Sequence, residues 1–242
     1  MSLTSFLLGI GICHLLMALL VVWNRARTTH VSLDQPLPAR PPTVHVLVPA
    51  RNEQSNIGDC IAALRAQDYP ALRIRVIDDH SSDRTLQIIQ QHAAEDPRVE
   101  PRQAPDLPKG WLGKPHALWS GSRDLTSDYV LFLDADVRLR PHAVRHAVLA
   151  ALATQAGLVN MVPRLLAASF WERAAQPVIA QILFTFVDPV RVRDSESDFA
   201  VGYGPFMFFQ RAAYEEIGGH AAVASEVVED LLASAAMSAG AA

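Results

Sequence analysis

The chain has 242 residues with a formal net charge of −4, and its isoelectric point is about 6.1. This length fits one domain of ordinary size with short appendages, and the slightly acidic balance excludes the strong basic field that nucleic-acid-binding proteins carry. The two cysteines, Cys13 and Cys60, form neither a disulfide framework nor a zinc-binding spacing, so we interpret both as packing residues in a reducing compartment.

The N-terminal segment is apolar enough to enter a membrane. Residues 3–23 contain no Asp, Glu, Lys or Arg, and they are about as long as a helix that crosses a bilayer. A signal peptide would carry positive charge before the apolar run, whereas Arg25 and Arg27 follow it here. We predict a single-pass transmembrane anchor over residues 1–24, with the rest of the chain in the cytoplasm by the positive-inside bias. A signal peptide and a buried core helix are the alternatives.

A proline-rich linker over residues 25–42 leads into a globular domain, which we place at 43–242. Hydrophobic patterning in this domain alternates between the strand and helix periods. We predict strands at 44–48, 72–77, near Val99, at 129–133 and at 157–162, and helices at 55–67, 83–94, 115–124 and 141–155. Asp83 is the expected N-cap of the second helix, and Pro141 is expected in the first turn of the last. The alternation predicts an α/β fold with a doubly wound, mostly parallel sheet.

A second apolar stretch covers residues 165–187 and contains Phe170 and Trp171, with Glu172 and Arg173 near its start. Its uninterrupted apolar part is short for a membrane span. We interpret it as a helix that lies on the membrane surface or packs on the domain.

Asp134 and Asp136 directly follow the buried apolar strand at 129–133. In open α/β sheets, ligands bind just beyond the carboxyl ends of the strands. Alternate residues of an extended chain point the same way, so both carboxylates could share one hard divalent cation. Such a cation neutralises a diphosphate as it leaves. The start of a solvated loop is the alternative interpretation of the same motif.

Three further polar segments lie at predicted strand ends or in nearby loops: residues 48–53, 78–85 and 227–230. Together with the aspartates at 134 and 136, their order and spacing resemble the family 2 glycosyltransferases, whose fold is the nucleotide-diphospho-sugar GT-A type. The resemblance covers residues 43 to about 232. It implies an inverting transferase that moves a sugar from a nucleotide-diphosphate sugar, with uridine as the usual base, in a single displacement.

Within that family, the chain is similar to bacterial membrane-anchored members that act on lipids, such as hopanoid-associated and carotenoid glycosyltransferases. The similarity rests on residues 107–114, 202–207 and 217–220. It implies a lipid hydroxyl as acceptor, with the membrane and a nucleotide-sugar donor as partners. The sugar and the lipid are not specified by these residues.

The resemblance also implies roles for the donor-side residues. Pro49, Ala50 and Glu53 would line the nucleotide pocket, and Asp79 would accept a hydrogen bond from the uracil ring. A turn start is the alternative for Asp79, whereas Asp78 is expected to be structural. Lys114 would approach the diphosphate as a point charge, or else be a surface lysine.

The remaining roles concern the metal and the acceptor. Asp136 would be the principal ligand of Mg²⁺ or Mn²⁺. Asp134 would be a second ligand and would lie nearer the ribose and sugar. Asp230 would be the general base that takes the proton of the acceptor hydroxyl. Further acceptor-side candidates are Gly202, Tyr203, Gly204 and Glu229. A plain turn is the alternative for the glycines, and the first turn of a helix is the alternative for Glu229 and Asp230.

Two other functions are compatible with parts of this pattern. A sugar-1-phosphate nucleotidyltransferase would carry a glycine-rich loop after the first strand, and residues 49–53 contain no glycine. A non-catalytic relative would bind nucleotide sugar or serve as a membrane partner subunit. Many membrane-bound relatives have a Gln-x-x-Arg-Trp motif after the base, and only 12 residues follow Asp230 here, so we expect a shortened C-terminus. His220 is a weaker candidate for an additional metal ligand.

Overall fold

The computed structural model describes residues 2–28, 32, 34–162, 164, 166–167, 169–185, 187–188, 190–193 and 202–225. Six strands form one sheet within this part of the chain: β1 Val44–Ala50, β2 Leu72–Asp78, β3 Val99–Gln103, β4 Tyr129–Leu133, β5 Leu158–Asn160 and β6 Phe206–Gln210. Seven α-helices accompany them: α1 Leu3–Arg27, α2 Ile57–Arg65, α3 Thr85–Glu95, α4 Gly113–Ser122, α5 Ala143–Thr154, α6 Phe170–Thr185 and α7 Arg211–Glu216.

The strand order is β3-β2-β1-β4-β6-β5. β1 pairs in parallel with β2 and β4, and β2 pairs in parallel with β3. β6 is antiparallel to both β4 and β5 and lies between them. The hydrophobic pattern did not predict this strand, and residues 202–207 supported only the family resemblance. The buried Phe-Met-Phe-Phe run of β6 pairs with the edge of β4 that faces away from β1. Without β6, the backbone groups on that edge would lack a neighbouring strand.

Helices cover both faces of the sheet, which confirms the predicted doubly wound α/β architecture. Alternate side chains of each strand enter opposite cores. Leu131 and Leu133 of β4 pack with α2 and α5, whereas Val130 and Phe132 pack with α4 and α7. β4 is buried along its whole length, as expected of a strand in the middle of a covered sheet.

Several helices are shorter than predicted, because residues near their ends make tertiary hydrogen bonds. α3 begins at Thr85, two residues after the expected N-cap Asp83, although the Asp83 carboxylate does accept a hydrogen bond from the Thr85 N–H at 3.0 Å. α5 begins at Ala143, so Pro141 lies outside its first turn, and the Pro141 carbonyl instead accepts from the Asp68 N–H at 3.0 Å. α2 ends at Arg65, and the Gln67 side chain donates to the Arg140 carbonyl at 2.9 Å.

α1 lies outside the sheet and its helix layers. It is long and apolar enough to cross a membrane, with a mean hydropathy of 2.5 over its most apolar 18 residues, none of which is buried. The second apolar stretch forms α6, which packs beside α1. Cys60 is buried in the core on α2, as predicted, whereas Cys13 is exposed on α1.

Candidate active site

A pocket of about 480 Å³ opens at the carboxyl ends of β1, β2 and β4. The first turn of α4 closes one side of it. The lining residues are Pro49, Ala50, Arg51, Glu53, Asp79, Gly113, Lys114, Asp134, Ala135 and Asp136. This is the position at which open α/β sheets bind ligands, because the carboxyl ends of parallel strands meet at one edge.

The pocket brings together every donor-side and metal-side residue that the sequence singled out. Four separate segments of the chain supply these residues, and together they extend from position 49 to position 136. Arg51 and Gly113 also line the pocket and were missed. No pattern distinguishes Arg51 within its loop, and the role of Gly113 depends on a contact with another strand end.

Asp134 and Asp136 reach the pocket by a geometry different from the one predicted. The strand ends at Leu133, and the Val137 N–H donates to the Asp134 carbonyl at 3.1 Å, so the two aspartates lie on a turn. The extended alternation assumed for them is therefore wrong. The turn is held from the other side, because the Asp134 N–H donates to the Pro205 carbonyl at 3.3 Å. Asp136 is exposed at the rim, whereas Asp134 is half-buried.

The loops after β1 and β2 are joined side by side through hydrogen bonds. Asn52 and His80 both have left-handed backbone, with φ of 56° and 54°, so each loop reverses at an equivalent point. The Asn52 side-chain oxygen accepts from the Ser82 N–H at 2.8 Å, and the Asn52 N–H donates to the Ser81 hydroxyl at 3.0 Å. Asparagine tolerates this backbone conformation better than most residues.

The buried hydroxyl of Thr85 completes this junction below the pocket. It accepts from the Glu53 N–H at 2.8 Å and donates to the Asp83 carboxylate at 2.5 Å. Thr85 is fully buried, and Glu53 lines the pocket. Thr85, which lies outside the pocket, thus fixes the backbone of the pocket residue Glu53.

Asp78 and Asp79 are adjacent in sequence but differ in placement. Asp78 is buried and accepts from the Ser81 N–H at 3.3 Å, which supports the loop. Asp79 turns its carboxylate into the pocket, where Oδ2 lies 3.5 Å from Nη1 of Arg51. A Cβ on Gly113 would lie 2.7 Å from the same oxygen, so the start of α4 fits against Asp79 only without a side chain.

Lys114 projects from the first turn of α4 toward the aspartate turn. Its Nζ lies 3.0 Å from Oδ1 of Asp134. The pocket therefore combines four carboxylates, from Glu53, Asp79, Asp134 and Asp136, with the cations of Arg51 and Lys114. This mixture suits a ligand that carries both an anionic group and a bound cation.

The two carboxylates on this turn are oxygen donors of the kind that a divalent cation such as Mg²⁺ prefers. That class of ion is bound by one or two protein carboxylates together with substrate phosphates and water. Because Asp134 is paired with Lys114, the exposed Asp136 is the carboxylate better available to the ion. Within the described residues, no three His, Cys, Asp or Glu side chains form a cluster that could hold a metal without substrate oxygens.

His220 lies in a buried position against Phe132, with ring centroids 4.5 Å apart. Its Nδ1 is 2.7 Å from the Tyr214 hydroxyl. Burial lowers the pKa of His220 to about 3, with a smaller contribution from the Lys114 charge, so the ring stays neutral. These contacts explain His220 as a packed core residue, and the described part of the chain places no metal-ligand cluster around it.

The acceptor-side candidates divide between described and undescribed residues. The Tyr203 N–H donates to the Asn160 side chain at 3.2 Å, and Gly202 and Gly204 flank it beside the aspartate turn, outside the pocket lining. Glu229 and Asp230 lie outside the described residues. Ala224, six positions before Asp230, accepts from the Leu112 N–H at 2.9 Å, directly before the pocket residue Gly113.

The family model described as Glycosyl transferase family 2 matches residues 45–218. Curated relatives include the 4,4'-diaponeurosporenoate glycosyltransferases of Staphylococcus aureus and Staphylococcus haemolyticus. The first is 26% identical over 191 residues, covering 76% of this chain and 48% of the relative. The second is 25% identical over 189 residues, covering 77% and 49%. The chain thus spans about half the length of the curated relatives it matches.

Solved structures with the same fold include a mannosyltransferase from Pyrobaculum calidifontis in complex with GDP-Man and Mn²⁺. It has a TM-score of 0.62 and 24% identity, and the match covers 90% of this chain and 59% of the other. Residues 1–349 of TarS from S. aureus, in complex with UDP, give a TM-score of 0.54 at 20% identity and cover 79% and 54%. These similarities establish the GT-A fold.

Proposed function

Because this chain belongs to glycosyl transferase family 2, we propose that its pocket binds a uridine-diphosphate sugar and that the enzyme transfers the sugar to a lipid hydroxyl with inversion. The observation that carries the proposal is the convergence of Pro49, Ala50, Glu53, Asp79, Lys114, Asp134 and Asp136 on one pocket at the carboxyl edge of the sheet. A sugar-1-phosphate nucleotidyltransferase is excluded by the family assignment.

The nucleoside end of the donor lies between the loops after β1 and β2. Asp79 accepts a hydrogen bond from the uracil ring, and Pro49, Ala50 and Glu53 form the wall beside it. The Arg51 guanidinium, 3.5 Å from Asp79, helps to orient that carboxylate. The joined loops support this role because they hold both walls at a fixed separation before the ligand arrives.

The diphosphate lies between the aspartate turn and the start of α4. Asp136 is the principal ligand of a divalent cation, and Asp134 lies nearer the ribose and sugar. When bound, that cation supplies charge neutralisation for the departing diphosphate. Lys114 approaches from the opposite side, where its ammonium adds a second positive charge at the leaving group.

The acceptor hydroxyl attacks the anomeric carbon from the side opposite the diphosphate. Asp230 takes the hydroxyl proton, the new glycosidic bond forms, and the bond to the diphosphate breaks with its electron pair. The bond between Leu112 and Ala224 supports this assignment, since six residues of extended chain reach at most about 20 Å. Gly202, Tyr203, Gly204 and Glu229 form the acceptor side.

A lipid acceptor is supported by the chain path around α6. The chain leaves β5 at Asn160 and enters β6 at Phe206, and both residues lie at the edge of the sheet where the pocket opens. The segment between them includes α6, which lies against the apolar α1. An acceptor that enters from this side is expected to be membrane-soluble. The name of the curated relatives, 4,4'-diaponeurosporenoate glycosyltransferase, fits an acceptor of this kind.

The test is a calorimetric titration of the full chain in detergent with UDP and with GDP, each with and without Mn²⁺. We expect UDP to bind more tightly than GDP, and the Mn²⁺-dependent part of the affinity to disappear in Asp136→Asn. Asp106→Asn, which changes an exposed loop acid outside the pocket, is the matched control and should bind as the wild type does.

Transfer to an extracted lipid fraction is then measured with radiolabelled UDP-sugars. Asp230→Asn should keep UDP affinity and lose about 10²- to 10⁴-fold in turnover, the usual contribution of a general base. Donor binding without transfer or donor hydrolysis by the wild type would contradict the catalytic assignment and favour a non-catalytic membrane subunit. Full turnover in Asp230→Asn would remove that residue from the mechanism.

A further inference from the structure

The helix α6 has a defined start although it lies outside the sheet. The Ser169 hydroxyl accepts from the Glu172 N–H at 3.2 Å, and the Glu172 carboxylate accepts from the Ser169 N–H at 2.8 Å. This reciprocal pair is a capping box, which satisfies two backbone donors at a helix N-terminus. The Glu172 carboxylate therefore caps the start of α6 and does not interrupt its apolar body.

Two side-chain amides join α6 and the residues after it to α1. Gln181 Nε2 donates to the His14 carbonyl at 3.0 Å, and Asn24 Nδ2 donates to the Val187 carbonyl at 3.0 Å. Asn24 is only 9% exposed, the lowest exposure on α1. Asn and Gln side chains also hydrogen-bond across helices in membrane proteins.

Large apolar side chains remain exposed on both helices. On α6 the exposed fractions are 73% for Phe170, 77% for Trp171 and 54% for Ile179. On α1 they are 53% or more at the following positions: Leu3, Phe6, Leu7, Leu8, Leu15, Leu16, Leu19, Val22 and Trp23. So many exposed large apolar side chains on two adjacent helices are unusual for a soluble monomer and indicate a membrane or protein partner.

Charged groups collect at the common end of the pair. Arg27 Nη1 lies 3.7 Å from Asp188 Oδ1, and the same oxygen accepts from the Val190 N–H at 2.9 Å. Arg25 belongs to the same last turn of α1. Apolar helix bodies with basic residues at one end are the pattern of segments that contact lipid and end at its charged surface.

We propose that α6 is a second membrane-contacting helix, and that α1 and α6 together present one continuous apolar surface to the lipid bilayer. The occupant is lipid because the α6 side chains adjoin a helix that is itself long and apolar enough to cross a membrane. The 16 residues of α6 span about 24 Å, less than the hydrocarbon thickness of about 30 Å, so α6 contacts the bilayer without crossing it.

Site-directed fluorescence tests this proposal independently of any transferase activity. The full chain carries Cys13→Ser and one introduced cysteine, either Trp171→Cys or Ile179→Cys, labelled with an environment-sensitive fluorophore. Cys60 can remain, because it is fully buried and burial raises the pKa of its thiol to about 12. Gln91→Cys on the exposed side of α3 is the matched control. Each protein is reconstituted in phosphatidylcholine–phosphatidylglycerol vesicles with and without doxyl-labelled lipid.

We expect blue-shifted emission at positions 171 and 179 and a loss of emission when doxyl lipid is present, with neither effect at position 91. Quenching at 171 and 179 no greater than at 91 would overturn the proposal. Emission that is insensitive to doxyl lipid and changes with the protein-to-lipid ratio would also overturn it, since a second copy of the chain would then cover α6.

Discussion

Lys114 and Asp134 form an ion pair at the pocket, with Nζ 3.0 Å from Oδ1. Each comes from a different wall, Lys114 from the first turn of α4 and Asp134 from the turn after β4. The pair is partly exposed, so it contributes little to folding stability. Under the proposed function, we expect a diphosphate bound between the walls to meet the Lys114 ammonium in place of, or beside, the aspartate.

Replacing Lys114 with glutamine should weaken UDP binding about ten-fold, which corresponds to about 1.4 kcal/mol for the loss of one charge-assisted contact. The melting temperature should stay close to that of the wild type. Lys109→Gln, which removes the other lysine of the chain from the exposed loop before α4, is the control. Equal losses in the two variants would mean that only the general positive charge of this region matters.

Adding one methyl group at Gly113 should damage the nucleoside site. In Gly113→Ala the new Cβ would lie 2.7 Å from Asp79 Oδ2, so the carboxylate or the start of α4 must shift. We expect the Kd for UDP to rise by about ten-fold or more, since a misplaced hydrogen-bonded carboxylate costs about 1–3 kcal/mol. Gly58→Ala is the matched control, because its Cβ would make ordinary contacts of 3.5 Å with Ile88. Unchanged UDP affinity in Gly113→Ala would argue against a role for Asp79 in nucleotide binding.

The buried hydroxyl of Thr85 should act on the donor site through Glu53. Thr85→Val keeps the side-chain shape and leaves the Glu53 N–H without its acceptor, a loss of about 1–3 kcal/mol. We expect a higher KM for the donor with a smaller change in kcat, because the pocket wall moves while the reacting groups remain. Thr85→Ser restores the hydroxyl and should recover the KM. A loss of stability with no change in KM would limit Thr85 to a structural role.

The buried His220 should make the fold less stable in mild acid. Burial lowers the pKa of His220 to about 3, below its ordinary value of 6.5, so the unfolded chain binds a proton that the folded chain excludes. Stability is therefore fully present above pH 6.5 and falls as the pH drops toward 3, by at most about 1.4 kcal/mol per pH unit. Urea unfolding at pH 7.5 and at pH 5.0 measures the difference. His220→Phe should flatten this pH dependence, and an unchanged slope would exclude His220 as its origin.

Much of the site could be predicted from sequence because strand ends are local features. Val44–Ala50 and Tyr129–Leu133 are short apolar runs, and the polar residues after them are brought together by the parallel arrangement of the strands. The sequence alone therefore predicts Glu53, Asp79 and Asp136 at one edge of the sheet. The family resemblance added their expected roles, and the family itself is confirmed.

The tertiary structure alone decided how these residues are held. β6 lies between β4 and β5 because its buried side chains complete both cores, and local patterning does not encode strand order. Three contacts between residues distant in sequence show this. The turn at Asp134 is held by a hydrogen bond to Pro205, Gly113 lies close to Asp79, and Thr85 accepts a hydrogen bond from Glu53. Sequence determined which residues meet at the edge of the sheet, whereas long-range hydrogen bonds and steric fit determined their geometry.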